Sequence, residues 1–263
     1  MFPGIELFGR FISSYALCAL AGVFAACPFA IFTLKKRTGD GYPMLAVLLW
    51  AALGVFAGGG LLYGITNIGS WGLLFTARDL GEWWNYAKLI FGGSVFYGGL
   101  YGGMAVAAFV MKRRNYPAGI MTDIAAPAVA MFHGFGRIGC FLGGCCYGIE
   151  SSFGVVYTHS LNESANGVRR LPVQLFESGF EFLLFLLLWQ LLRHGKCEGR
   201  LFSLYMILYG IFRFFIEFFR GDAYRGFVLG LSTSQFISVF TVAGGAAYFV
   251  WRTLRGRRAK EQE

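Results

Sequence analysis

Long apolar runs separated by short basic or polar segments dominate this chain. Seven runs approach or exceed the roughly 20 residues that a helix needs to cross a bilayer's hydrocarbon: 12–34, 44–63, 89–111, 120–141, 174–192, 201–219 and 231–251. The pattern predicts an all-α integral membrane protein of seven transmembrane helices, forming one domain over 1–263. Two outer connections break the monotony. "WGLLFTARDLGEWW" sets Trp71, Trp83 and Trp84 among Arg78, Asp79 and Glu82, a mixture suited to an amphipathic segment in the headgroup layer. The other alternates around Val155 and Tyr157 and predicts a short hairpin.

Basic residues give the runs a direction, because positive loops stay in the cytoplasm. Lys35, Lys36 and Arg37 follow the first run, and Lys112, Arg113 and Arg114 follow the third. Arg193, Lys196 and Arg200 follow the fifth, and Arg252 with Arg255 the seventh. Every odd run therefore ends inside, so the N-terminus is expected outside and the C-terminus in the cytoplasm. The first run has its basic residues after it, which reads as a retained span and not a cleaved signal peptide. "FAAC", ending at Cys27, has the wrong flanking charges for a processing box.

Composition agrees: the 263 residues are 56% hydrophobic and 14% charged. The net charge of +9 is largely this topological signal plus contact with anionic membrane lipids, and no nucleic acid is expected as a partner. The six cysteines form no paired-loop disulfide framework. Cys140, Cys145 and Cys146 lack the separated pairs of a zinc site and read as small packing residues, with a disulfide at Cys140 as the alternative. His159 and His194 fall in loops and read as solvated. The glycines of "FGGSVFYGGLYGG" suit close packing of helix backbones more than a lined cavity.

Ionisable groups inside spans carry the most information, since one at the bilayer centre costs about 2.5 to 3.5 kcal/mol on insertion scales. Arg137 lies about 25 Å along the fourth run, near its outer end, with His133 one turn before it. In the sixth, Tyr209, Arg213 and Glu217 recur every four residues, with Arg220 at the outer end of the stripe. Gln174, Glu177 and Glu181 share one side of the fifth, after Pro172. Two readings stand. Arg213 with Glu217, and Arg137 with Glu177, are structural ion pairs; or the three guanidiniums receive the phosphate of a membrane lipid, which they match in a bidentate way.

Four blocks in order, "GGSVFYGGLYGG", "DIAAPAVAMFHGFGRIGCFLGGCCYG", "RRLPVQLFES" and "SLYMILYGIFRFFIEFFRGD", resemble the bacterial prolipoprotein diacylglyceryl transferase family over about residues 85–240. The resemblance implies a multi-pass protein of the bacterial inner membrane with its site toward the outer leaflet. It implies transfer of a diacylglyceryl group from phosphatidylglycerol to the lipobox cysteine thiol of secreted lipoprotein precursors, releasing glycerol phosphate. It assigns the phosphate-binding arginine to Arg137 and a second functional arginine to Arg213. Tyr209, Glu217 and Arg220 match the latter motif, Gln174 and Glu177 the "PxQLxE" element. Gly98 and Gly99 match the paired glycines before which the family carries a histidine, and Cys140 stands where an asparagine is common.

Here the position before those glycines is Tyr97. Forming a thioether needs a thiolate, and an imidazole, whose type has an unperturbed pKa near 6.5, is a better proton acceptor than a phenol near 10. His133 is expected to accept or relay the proton, with Tyr97 orienting the thiol or the lipid's glycerol hydroxyl. A histidine held only by a structural hydrogen bond is the competing reading. No metal or organic cofactor is expected. Two other functions remain open: a paralogous transferase using the same phospholipid with another acceptor, and a non-catalytic lipid- or peptide-binding seven-span protein. A retinal protein would need a lysine in the last span, and a transporter polar groups nearer the midplane.

Overall fold

The computed structural model describes residues 1–160, 162–221 and 226–260, without the side chains of residues 96, 97, 227, 228 and 257–260. In chain order it contains β1 (Gly4–Leu7), β2 (Arg10–Ser13), α1 (Ser14–Thr38), α2 (Tyr42–Thr66), α3 (Leu73–Thr76), α4 (Leu80–Phe91), α5 (Phe96–Arg113) and α6 (Ala118–Gly143). Then come β3 (Glu150–Val156), β4 (Arg169–Arg170), α7 (Val173–Arg193), α8 (Leu201–Ile216), β5 (Phe227–Val228), β6 (Leu231–Ser232) and α9 (Thr233–Lys260). Among the described residues six segments are long and apolar enough to cross a membrane: α1, α2, α6, α7, α8 with the 3-10 turn that follows it, and α9. The chain is a mostly helical, multi-pass membrane protein. It is not purely helical, because β1–β2, β3–β4 and β5–β6 each form a two-stranded antiparallel ribbon.

Polarity is inverted relative to a water-soluble fold. Phe24, Phe56, Phe109 and Leu183 are each more than three-fifths exposed, while Gln174, Glu177 and Glu181 are fully buried. In water such an exterior would drive aggregation. Facing acyl chains it costs nothing, and the polar groups retreat inward.

Packing divides the chain into two compact units, Met1–Thr33 with Gly119–Glu263, and Leu34–Ala118. In the second, α2 lies against α5 through glycines. A Cβ on Gly58 would stand 2.9 Å from the Cα of Gly102, and one on Gly102 2.9 Å from the Cα of Gly58. Gly98 also faces Gly58, and Gly99 faces Val55, so these residues let backbones touch, as expected for packing. The run 89–111 is not one helix. It breaks at Gly92–Val95 into α4 and α5, and the freed amide of Val95 donates to Gly59 O at 3.2 Å.

The predicted amphipathic segment, residues 71–84, holds α3 and the start of α4. Asp79 caps α4 by accepting from Glu82 N at 2.7 Å, while Glu82 reaches back to Arg78 N at 2.8 Å, a reciprocal cap.

In the first unit, α6 has the largest buried share of the candidate spans, with Met121, Ile124, Ala126, Ala130 and Cys140 inside. Asp123, also buried, accepts from Leu201 N at 2.9 Å and from Gly199 N, capping the start of α8 from another helix. Phe180 of α7 stacks on Phe212 of α8 with centroids 3.9 Å apart, and Gly210 of α8 admits Val242 of α9. The predicted hairpin pairs β3 with β4 and folds Tyr147, Tyr157 and Ala165 into a small core above the α6 end. That lobe is tied to the end of α8 by Ile149 N donating to Phe219 O at 2.9 Å and Gly221 N to Tyr147 O at 3.0 Å.

Candidate functional site

Three helices of the first unit bring their buried charges together. Helical spacing puts His133, Arg137 and Cys140 on one face of α6, at intervals of four and three. Gln174, Glu177, Ser178 and Glu181 line the inward face of α7, and Tyr205, Tyr209 and Arg213 that of α8. Pro172 fixes where α7 begins, standing at its N-cap.

Glu177 is the hub. One of its oxygens meets Arg137 Nε at 3.3 Å and the other meets Arg213 Nη1 at 3.3 Å, with the carboxylate itself inaccessible to solvent. Both ion pairs expected from the sequence are present, and Glu177 couples them. Arg213 Nη2 also reaches Glu217 at 2.6 Å and donates to Ser234 Oγ at 3.0 Å, and Ser232 Oγ donates to Glu217 at 3.0 Å. Arg220 Nε lies 3.8 Å from Glu217. Three guanidiniums thus share two carboxylates.

Their accessibility differs. The side chain of Arg137 is 15% exposed, against 8% for Arg213 and 3% for Arg220. Among the described residues Arg137 engages protein only through Nε, so both of its terminal amino groups point at no partner. A nearly buried guanidinium left in that state is poised for an anion.

The third carboxylate, Glu181, is used differently. Its Oε1 lies 2.7 Å from His133 Nδ1, and the Tyr205 hydroxyl stands 3.5 Å from the same nitrogen. The Tyr209 ring meets the imidazole edge-on with centroids 4.9 Å apart, and Tyr205 stacks parallel to Tyr209. The carboxylate orients the ring, and Nε2 has no protein partner among the described residues. A carboxylate-held imidazole with one open nitrogen is the arrangement that general bases use.

Gln174, one of the expected substrate-binding residues, braces the turn after α6. Its carbonyl accepts from Tyr157 OH at 3.0 Å and its amide donates to Cys145 O at 2.6 Å, which spends both ends on protein. Tyr157 is fully buried, and burial raises its hydroxyl pKa, opposed by the bond to Gln174. Gly98 and Gly99 lie in the second unit and pack on α2; the side chain of Tyr97 lies outside the described residues.

Sequence spacing missed two things. Ser232 and Ser234, at the entry to α9, complete the Arg213–Glu217 network; "STSQ" alone marked them only as a helix start. Cys140, Cys145 and Cys146 converge, with their sulfurs all within 4.8 Å of one another. Hydrogen bonds with Cys140 and then Cys145 pull the Cys146 thiol pKa down, helped by Arg220 and Arg137 and opposed by burial.

The family model described as "Prolipoprotein diacylglyceryl transferase" matches residues 5–251. A phosphatidylglycerol–prolipoprotein diacylglyceryl transferase of Clostridium tetani is 38% identical over 247 residues, 93% of this chain and 94% of the relative. One of Clostridium perfringens is 37% identical, covering 96% of both chains. One of Pseudoalteromonas atlantica is 32% identical over 94% of this chain and 87% of its own.

Proposed function

The chain belongs to the prolipoprotein diacylglyceryl transferase family, and from that membership we propose how its own residues carry the family's reaction. The protein is a phosphatidylglycerol–prolipoprotein diacylglyceryl transferase. Its substrates are phosphatidylglycerol and the lipobox cysteine of a lipoprotein precursor. The acceptor sulfur attacks the glyceryl carbon that bears the phosphate, that C–O bond breaks, and glycerol phosphate leaves with the electron pair. The acceptor loses its thiol proton.

Arg137 grips the lipid phosphate. The observation that carries this is its nearly buried guanidinium, whose two terminal amino groups have no partner among the described residues, in a network where three guanidiniums share Glu177 and Glu217. Arg213, held on three sides by Glu177, Glu217 and Ser234, is fixed in place before substrate arrives and stabilises the charge growing on the departing phosphate. Glu177 sets the distance between the two forks. His133 takes the thiol proton at Nε2, with Glu181 steadying Nδ1.

The orientation follows from the basic loops. α5, 18 residues long, serves as the seventh crossing, the N-terminus is outside, and the arginine cluster lies toward the outer leaflet of the bacterial inner membrane.

Purified protein incubated with phosphatidylglycerol and a lipobox peptide should yield a diacylglyceryl adduct by mass spectrometry. Arg137→Ala should abolish it, and Arg137→Lys, a point charge without the fork, should cost on the order of 10²- to 10³-fold, the scale of losing one charge-stabilising donor. Wild-type rates in Arg137→Ala would remove the residue from the site.

A further inference from the structure

Among the described residues, Cys140, Cys145 and Cys146 converge into a chemistry-bearing cluster that the reaction above leaves unused. α6 ends in a Schellman turn: Cys145 N donates to Cys140 O at 3.1 Å and Gly144 N to Phe141 O at 3.1 Å, with Gly144 at φ +74°. That turn folds the chain back on the last helical turn. Cys146 follows in a left-handed conformation at φ +59°, which a side-chain-bearing residue holds only where its surroundings fix it. The surroundings are explicit. Ser160 Oγ donates to Gly144 O at 2.9 Å, Gln174 Nε2 to Cys145 O at 2.6 Å, and Gly148 pairs with Arg220 immediately beyond. Three sulfurs are held within 4.8 Å by backbone that has nowhere else to go.

Tetrahedral zinc binds sulfur at about 2.3 Å, which sets its ligands about 3.8 Å apart, so small side-chain rotations suffice. Three protein ligands with one position left open is the pattern of a reactive zinc centre and not of a closed structural one. Cys140 is buried and Cys145 is the accessible member, so the group has an inner wall and an outer mouth. Cys140 shares the α6 face with Arg137, one turn on, and His133 precedes both.

We infer that Cys140, Cys145 and Cys146 form a three-thiolate site for a soft divalent cation of the zinc type, whose fourth position takes the thiol of the acceptor peptide. This deepens the transferase reading and rests on it. Loading the ion releases the protons of the cysteines to bulk water. The acceptor thiol then binds as thiolate, because a coordinated thiol is deprotonated outright, and its proton passes to His133. The sulfur pair forms the C–S bond as the C–O bond to phosphate breaks, and the ion keeps its oxidation state throughout.

Cobalt reports the site without any turnover. Full-length protein in detergent, reduced and kept anaerobic, is titrated with Co²⁺, and a thiolate-to-metal charge-transfer band saturating at one equivalent is expected. Cys140→Ser and Cys146→Ser should each weaken binding by more than about 100-fold, beyond what loss of an outer partner costs. Cys27→Ser and Cys197→Ser should leave it unchanged. A cysteine lipobox peptide should then raise the band by roughly a third as three thiolates become four, and the serine peptide should not. No band in the wild type, a band that survives Cys140→Ser and Cys146→Ser, or equal responses to both peptides would overturn the inference. The lipid-adduct assay fails or succeeds independently of these spectra, so a failed transferase reading is told apart from a failed metal site.

Discussion

Glu177 sits between two guanidiniums, so neither arginine can be altered without disturbing the other. Removing one member of a buried pair typically costs about 3 to 5 kcal/mol, because the abandoned charge stays buried. Arg213→Met should therefore lower the midpoint of thermal unfolding measurably as well as abolish transfer, whereas Arg137→Ala, at the accessible end, should lose activity with a smaller loss of stability. Scanning fluorimetry beside the adduct assay separates the two. His133 makes a second contrast. His133→Gln should lower kcat by roughly 10²- to 10⁴-fold if its open nitrogen accepts the proton. Glu181→Gln should lower kcat less and shift the pH profile, since it only positions the ring; full activity in His133→Gln would end the base assignment. The arginine stripe and the α7 carboxylates were legible because helical spacing stacks them. The hub role of Glu177 was not, since two equal pairings fit the same spacing.

At the scale of elements, the end of α6 is a closely constrained turn. Gly144 holds a positive φ where Ser160 closes over it, so Gly144→Ala meets both a backbone penalty of about 1 to 2 kcal/mol and a clash. It should destabilise the β3–β4 lobe and, by displacing Cys145 and Cys146, loosen the grip on cobalt; limited proteolysis of residues 144–170 reads the first. The cysteines show where sequence reading stops. Positions 140, 145 and 146 do not resemble a metal motif until a Schellman turn is known to fold them together. The break at Gly92–Val95 escaped for a related reason: hydropathy is continuous across it, and the signal was the pair Gly92 and Gly93, just before Val95, whose amide finds its partner on α2.

For the molecule as a whole, the pattern of apolar runs foretold six of the helices and their order, because bilayer thickness imposes a length that water-soluble helices do not share. The ribbons at the ends of α1 and α9 were invisible: each spans only two to four residues per strand, too few for periodicity to register. Topology is open to direct measurement. A reporter fused after the last residue should be active only as a cytoplasmic enzyme, and a cysteine introduced at Gly9 should react with an impermeant maleimide in intact cells.

Asp123 has a larger consequence than capping. It staples the beginning of α8 to α6 near one end of the bundle, while His133 meets Tyr205 and Tyr209 further along the same two helices. Two fastenings at different heights resist opening of this seam, and a two-tailed lipid is expected to slip in through some other doorway. A cross-link placed between α6 and α8 should leave turnover untouched.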